Sequence, residues 1–274
     1  MAIPILNNWR NYFTNPDEGL GSSYERIILN KKLENICNHF RIKSVLEAPS
    51  FGFTGLSGIN SMQLAKNGFS VTVLDNNKER TEMVNSVWRN IKIPADITFV
   101  RHFNKLPFAD SEFDLSWNFS ALWFVNDLPK FLSELARVTS KVIVLAVPNR
   151  TGLGYISQKL SGAEELKTKL NEEYIKPVTF LPIMKNLEWN LIDSNFIDCP
   201  PWPDIGMPKD KFLKKFGIKT AQPEEKEKLT IMDFYSGKDP SFEYRMISYS
   251  WFEKYAPNFV KYIWAHHKYF VFVK

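Results

Sequence analysis

Residues 47–60 read Glu-Ala-Pro-Ser-Phe-Gly-Phe-Thr-Gly-Leu-Ser-Gly-Ile-Asn, and they follow a short apolar run that is predicted to be a buried strand. Three glycines, Gly52, Gly55 and Gly58, recur here at three-residue steps. Glycine between a strand and a helix permits a turn with positive φ, and it lets a ligand approach bare backbone beside the helix N-terminus. The segment therefore predicts a strand, a ligand-binding turn and a helix in succession.

An acidic residue, Asp75, ends the next predicted strand, twenty residues after Gly55. In doubly wound nucleotide-binding folds, an acid at this place accepts hydrogen bonds from the hydroxyls of a ribose. The alternative is a purely structural turn, with Asp75 serving as the N-cap of the following helix. We favour the ribose interpretation because the glycine turn and the acid occur together, which indicates an adenosine-containing ligand.

The spacing of the glycines narrows the choice of cofactor. Dinucleotide-binding folds require G-x-G-x-x-G, whereas this turn has G-x-x-G-x-x-G. The phosphate-binding loop G-x-x-x-x-G-K-[ST] is also missing from the sequence. These two absences favour an adenosine ligand without phosphates and disfavour an NAD-dependent enzyme.

From Lys43 to Pro148, short apolar runs and longer amphipathic stretches alternate, as in βαβ units with a parallel sheet. The pattern predicts a helix over Ser23–Phe40, with Ser22 or Ser23 as its cap, and further helices over Gly58–Asn67, Lys78–Ile91, Leu128–Val138 and Val178–Asn186. It predicts strands over Ser44–Ala48, Ser70–Asp75, Asp96–Val100, Phe113–Trp117, Lys141–Val147, Trp189–Phe196 and Tyr269–Val273. The fold class is therefore α/β, with a doubly wound, Rossmann-like sheet.

Composition fits a folded protein of one elaborated domain: 274 residues, 44% hydrophobic and 24% charged. Two cysteines and four histidines without zinc-finger spacing make disulfide scaffolds and structural zinc fingers unexpected. The net charge of +5 is mild and dispersed, unlike that of a nucleic-acid binder. Because no apolar run approaches about 18 residues and the start does not resemble a signal peptide, we expect a cytoplasmic protein without stable membrane insertion.

Three regions make up the predicted domain. Residues 1–42 form an N-terminal helical arm, residues 43–197 and 263–274 form the core, and residues 198–262 form an insertion or cap. The insertion is irregular in pattern but rich in aromatic residues such as Trp202. We expect it to be a lid over the substrate site, or alternatively the interface of a homodimer.

Four segments in order resemble the class I, seven-stranded S-adenosylmethionine-dependent methyltransferases. Val45-Leu46-Glu47 is similar to the first motif of that family, and Val71–Asp75 is similar to its ribose-binding second strand. Leu106–Leu115, which reads LPFADSEFDL, is similar to the segment before and within the fourth strand. Trp117–Trp123 stands where the family presents a strand end to cofactor and substrate. The resemblance implies a mostly parallel sheet with an antiparallel final strand and S-adenosylmethionine as cofactor.

The resemblance also implies site residues. For the cofactor these are Glu47, Pro49, Gly52, Thr54, Gly55, Gly58, Asp75, Asn76, His102, Asn118 and Phe119. The arm, the end of the fourth strand and the insertion add the candidate substrate residues Tyr24, Ser120, Trp123 and Trp202. This chain departs from the family at two of them. Pro49 stands where glycine is usual, and His102 stands where many relatives bind the adenine amino group with an aspartate. The cofactor is therefore expected to be held differently here.

Methyl transfer is the activity that the resemblance implies, and the aromatic residues expected around the methyl group favour a small, planar or apolar acceptor. The end of the fourth strand lacks the D/N-P-P-Y/F motif of the enzymes that methylate amino groups of nucleic-acid bases, so no nucleic-acid partner is expected. Candidate general bases are His102, His266 and His267, since imidazole titrates near neutral pH. The alternative is a non-catalytic module on the same fold, which binds S-adenosylmethionine or serves in assembly.

Overall fold

The computed structural model describes residues 6, 8–160, 169–202 and 230–274. Its centre is one seven-stranded sheet. The strands are β1 (Ser44–Glu47), β2 (Ser70–Asp75), β3 (Asp96–Phe99), β4 (Phe113–Phe119), β5 (Thr139–Pro148), β6 (Asn190–Ile197) and β7 (His267–Val273). Their order is β3-β2-β1-β4-β5-β7-β6, with β1 to β5 parallel and β7 antiparallel to both of its neighbours. The predicted fold class is thereby confirmed.

Helices cover both faces of the sheet. They are α1 (Asn11–Thr14), α2 (Gly19–His39), α3 (Met62–Lys66), α4 (Lys78–Ile91), α5 (Leu128–Val138), α6 (Leu153–Leu160), α7 (Pro177–Asn186), α8 (Ile231–Tyr235), α9 (Phe242–Ile247), α10 (Trp251–Tyr255) and α11 (Asn258–Trp264). Successive strand residues point to opposite faces. Val45 therefore packs in the core shared with α2 and α4, and Leu46 packs in the core shared with α5 and α7.

Two helix predictions need correction. The first long helix begins at Gly19, so Ser22 and Ser23 are buried inside it and do not cap it. The helix predicted over Gly58–Asn67 is confined to Met62–Lys66, because the residues before it belong to the glycine turn. Strand β4 also continues two residues beyond its predicted end, since Phe119 still pairs with β5.

The insertion is described up to Trp202 and from residue 230 onward. Its helices pack on α2, where the side-chain amide of Asn30 donates to the Tyr235 hydroxyl at 3.1 Å. Trp202 is fully buried, and its ring lies 5.6 Å from the Tyr24 ring. Contact of either ring with a substrate requires this packing to open.

Among the described helices, none has the length and apolar character needed to cross a membrane.

Candidate functional site

The glycine turn lies directly against the end of β4. A Cβ atom at Gly52 would collide with the backbone carbonyl oxygens of Phe119 and Ser120, so a larger residue does not fit here. The neighbouring Phe53 ring extends this contact, with its centroid 5.7 Å from that of Phe119. Because β1 lies between β2 and β4, the turn lies at the carboxyl ends of the central strands, where open α/β folds bind ligands.

A carboxylate from the N-terminal arm reaches into the turn. Glu18 accepts a hydrogen bond from the backbone N–H of Leu56 at 3.3 Å, and it is held by two bonds from Arg26, of 2.9 and 2.6 Å. Both side chains of this ion pair are completely buried. The adjacent Gly55 has φ of +144°, and a Cβ atom there would collide with Glu18. The glycine turn thus already holds a carboxylate that the chain itself supplies.

Glu47, at the end of β1, is hydrogen-bonded to the residues that follow the glycine turn. Its carboxylate accepts hydrogen bonds from the Asn60 amide at 3.0 Å and from the Ser61 hydroxyl at 2.7 Å. Burial raises the pKa of Glu47 to about 7, although the bonds from Ser61 and Asn60 oppose this shift. The structure therefore directs this side chain into the protein, where it links β1 to the start of α3.

Asp75 is already bound on both of its oxygens. Arg80 donates to it twice, at 2.6 and 2.5 Å, and the Ser50 hydroxyl and the Asn77 backbone N–H donate at 3.0 and 2.8 Å. A carboxylate accepts about four hydrogen bonds, so these four saturate it. The Arg80 guanidinium in turn lies 3.8 Å above the centre of the Phe51 ring. In this conformation Asp75 cannot accept hydrogen bonds from the hydroxyls of a ribose, because its four lone pairs are already used.

Unlike Asp75, the polar side chains at the end of β4 lack hydrogen-bond partners within the described part of the chain. Asn118 is fully buried, and neither its amide nitrogen nor its amide oxygen has a hydrogen-bond partner in the described part of the chain. The hydroxyl of Ser120 is likewise buried without a partner, on a residue whose φ is +48°. A buried polar group without a partner costs about 1–3 kcal/mol, so such groups need an explanation. Two of them beside the glycine turn indicate a polar ligand here.

An open cleft of about 450 Å³ lies next to this strand end. Trp123 is the link between the two, because it lines the cleft and its indole N–H donates to the Ser120 carbonyl at 2.7 Å. The remaining lining comes from the segment after Trp123 and from the segment before α7: Phe124, Val125, Asn126, Lys169, Leu170, Asn171, Glu172 and Glu173. His102 is exposed near its rim, with Nδ1 3.5 Å from the Asn126 amide nitrogen.

A second group of ionisable side chains is buried where α2 meets the end of β6 and the start of β7. Nδ1 of His267 lies 2.7 Å from a Glu25 carboxylate oxygen, and Nδ1 of His266 lies 2.5 Å from Asp198. Burial raises the pKa of Asp198, whereas His267 holds the pKa of Glu25 below its usual value despite burial. His266 precedes β7 and His267 begins it, and both are buried beside Asp198.

The structure joins some predicted site residues and separates others. Ser50 ties the turn to Asp75, and Gly52 ties it to β4, so these elements form one site. Within the turn, Pro49, Thr54 and Gly58 are buried, whereas Asn76 and His102 are exposed.

Sequence reasoning missed the partners that occupy this site. Glu18, Arg26 and Arg80 gave no motif, although Glu25-Arg26 does interrupt the apolar side of the predicted helix. Charged residues in such a position are almost never fully buried unless they are paired. That pair of charges was the available signal for a buried polar site on α2.

Comparison with known proteins identifies a domain and a fold. Residues 53–144 match the family model described as a methyltransferase domain. An S-adenosylmethionine-dependent methyltransferase from Thermotoga maritima, described as a possible histamine N-methyltransferase, aligns with a TM-score of 0.54 and 9% identity over 98% of this chain and 95% of that chain.

Two further solved structures align over 89% of this chain. A putative sarcosine dimethylglycine methyltransferase from Galdieria sulphuraria has a TM-score of 0.52 and 11% identity, with 84% of its chain covered. The cyclase SpnF has a TM-score of 0.51 and 12% identity, with 80% of its chain covered. Among curated proteins, none matches this sequence.

These findings agree with the resemblance to the class I, seven-stranded methyltransferases in the domain model matched and in the fold. At identities of 9–12%, the three structures share the fold with this chain and carry no information on its substrate.

Proposed function

We propose that this chain transfers a methyl group from S-adenosylmethionine to a small, planar or apolar acceptor, because residues 53–144 match a methyltransferase domain and the sheet has seven strands in the order of that fold. The observation that carries the proposal is the pair of unpartnered polar side chains at the end of β4. The Asn118 amide and the Ser120 hydroxyl are buried beside the glycine turn, and a ligand that reached them there would satisfy them. The open cleft lies next to them, joined through Trp123, which donates to the Ser120 carbonyl.

When bound, S-adenosylmethionine supplies an electrophilic methyl group on a sulfonium. The chain's own residues have to hold and orient the reactants and exclude water. Asn118 can both donate and accept hydrogen bonds, and it stands on a rigid central strand, so it suits an orienting role. A ribose can bind Asp75 only if one of its four present donors, which come from Arg80, Ser50 and Asn77, is displaced.

For the acceptor, the cleft after β4 has a suitable size. Its volume of about 450 Å³ lies within the range of small-molecule sites, about 300–1,000 Å³. Trp123 and Phe124 provide an aromatic wall, which favours a planar or apolar group. If the acceptor must lose a proton, exposed His102 is the accessible imidazole near this cleft, because His266 and His267 are buried against carboxylates.

The second candidate is a non-catalytic module on the same fold. The saturated Asp75 favours it, since the chain's own Arg80 occupies the bonds that a ribose would need. The structural neighbour described as a cyclase also supports the view that this fold does not by itself imply methyl transfer.

Calorimetry with S-adenosylmethionine, S-adenosylhomocysteine and NAD tests the cofactor and separates the proposal from a module that serves in assembly without binding S-adenosylmethionine. We expect the first two to bind and NAD not to bind. Asn118→Leu should weaken S-adenosylhomocysteine binding at least about tenfold, which corresponds to about 1.4 kcal/mol. Its stability should be unchanged or higher, because the amide it removes has no partner in the described structure.

The matched control is Asn149→Leu. That amide is buried too, but it donates to the carbonyls of Tyr262 and Ala265 at 2.9 and 2.8 Å. Its replacement should lower stability and leave ligand affinity unchanged. Wild-type protein that binds neither S-adenosyl compound would contradict the proposal and favour the non-catalytic module. Binding that Asn118→Leu leaves unchanged would refute the assigned role of β4.

A further inference from the structure

The buried cluster between α2, β6 and β7 carries an inference that is independent of methyl transfer. We propose that Glu25, Asp198 and His267 bind one divalent first-row transition-metal ion. Each residue offers one ligand atom, and these atoms all lie within 4.8 Å of one another. The three residues come from distant parts of the sequence and meet only through the fold.

The unsatisfied atoms of the cluster are the strongest argument. Oε1 of Glu25, Oδ1 of Asp198 and Nδ1 of His267 have no hydrogen-bond partner among the described residues, although each side chain is at most 2% exposed. Nδ1 of His267 is 2.7 Å from the Glu25 oxygen, but the two atoms do not have hydrogen-bond geometry. Buried charges in proteins are paired or coordinate a metal ion, and a metal ion between these atoms would satisfy all three of them together.

The donor set selects the kind of ion. Imidazole nitrogen with carboxylate oxygen suits zinc, iron and manganese, whereas magnesium and calcium prefer oxygen ligands alone. The cluster has no thiolate among the three ligands, so a soft, sulfur-bound ion is not expected. Two carboxylates also balance the charge of a divalent ion, which removes the cost of leaving them ionised and unpaired in the interior.

His266 completes the arrangement as a positioning residue. Its Nδ1 lies 2.5 Å from Oδ2 of Asp198, while Oδ1 of Asp198 stays without a partner. Oδ2 also lies 4.0 Å from Nδ1 of His267, so His266 holds the Asp198 carboxylate toward the cluster, as hydrogen bonds commonly orient metal-binding carboxylates. The backbone N–H of His266 also donates to the Asp198 carbonyl at 2.9 Å, which fixes the two residues relative to each other.

An ion bound here would link α2 to the end of the sheet where the glycine turn lies. Glu25 directly precedes Arg26, whose guanidinium lies 3.9 Å from the centre of the Phe53 ring. His267 packs on Phe119 with ring centroids 4.3 Å apart. The ion would therefore lie behind the end of β4 and support it.

The test uses the full chain after dialysis against a chelator and into metal-free buffer. Titration with Mn²⁺, Zn²⁺ and Co²⁺ by calorimetry should give one ion per chain, and Mg²⁺ should bind much more weakly. Co²⁺ should also give visible absorption bands without a thiolate charge-transfer band, and Cys199→Ser should leave these bands unchanged. Glu25→Gln and His267→Gln should each weaken Zn²⁺ binding at least about tenfold.

The matched control is His39→Ala, which removes an exposed imidazole elsewhere on α2 and should leave the affinity unchanged. Wild-type protein that takes up no ion stoichiometrically would overturn the proposal. So would a site that survives both ligand substitutions or is lost in His39→Ala. If His267→Gln does not fold, the nearly isosteric Glu25→Gln and the wild-type titration still decide the question.

Discussion

Replacing Arg80 tests how the end of β2 is built. Its ion pair with Asp75 is bidentate, and the two side chains are only 6% and 2% exposed. Arg80→Leu removes the cation, keeps an apolar group against Phe51 and leaves Asp75 buried with two of its four donors. Breaking a buried pair from one side costs about 3–5 kcal/mol, so we expect a loss near the lower end, about 3 kcal/mol.

Urea unfolding at pH 7 provides the measurement, with the free energy of unfolding obtained by linear extrapolation. The chain contains its own control. Arg10 makes the same two-bond contact with Glu79, at 2.7 and 2.5 Å, but these side chains are 55% and 50% exposed. Arg10→Leu should therefore lower the free energy of unfolding far less than Arg80→Leu, because water screens an exposed ion pair. If both substitutions lower the free energy of unfolding by the same small amount, burial does not strengthen the Asp75–Arg80 ion pair, contrary to this prediction.

The same variant has a second readout that depends on the proposed function. Arg80→Leu frees the Asp75 oxygens that a ribose would need, so S-adenosylhomocysteine should bind at least about tenfold more tightly, by about 1.4 kcal/mol. Asp75→Asn should weaken that binding by a similar factor. Equal affinity in wild type and both variants would exclude Asp75 as the ribose ligand, even if the stability result agrees with expectation.

Three further substitutions test the surroundings of the site. Burial raises the pKa of Glu47 to about 7, so the stability that its protonated carboxyl contributes is fully present below about pH 4.3 and is lost as the pH rises through about 7. Glu47→Gln has no proton to lose, so it should reduce the change in the free energy of unfolding over this pH range by about 3 kcal/mol. Parallel curves of unfolding free energy against pH for the two proteins would contradict this. Gly52→Ala should cost about 1–3 kcal/mol in urea unfolding, because backbone carbonyls block its Cβ atom, and a cost under about 0.5 kcal/mol would show that the turn can shift. Trp202→Ala should destabilise by about 3–5 kcal/mol, since Trp202 is fully buried, and a thermal scan without a shift would restore it as a surface substrate contact.

The sequence by itself determined the sheet and its ligand-binding edge. Ser70–Asp75, Lys78–Ile91 and Leu128–Val138 were predicted with their observed bounds, because strand and helix periodicity is a local property of the chain. Asp75 and the glycine turn were likewise placed at one edge, since parallel strands bring their carboxyl ends together. The predicted helix over Gly58–Asn67 was too long, because a pattern does not show where a turn ends.

Only the tertiary structure decided what these residues contact. Asp75 follows the expected spacing for a ribose ligand, yet it is saturated by Arg80 from the next helix. Glu18, Glu25 and Asp198 carry no motif, and their burial depends on partners up to 242 residues away, as for Glu25 with His267. Local sequence specifies backbone conformation and the buried face. The pairing of charges depends on the geometry with which distant elements pack, and local periodicity does not contain that geometry.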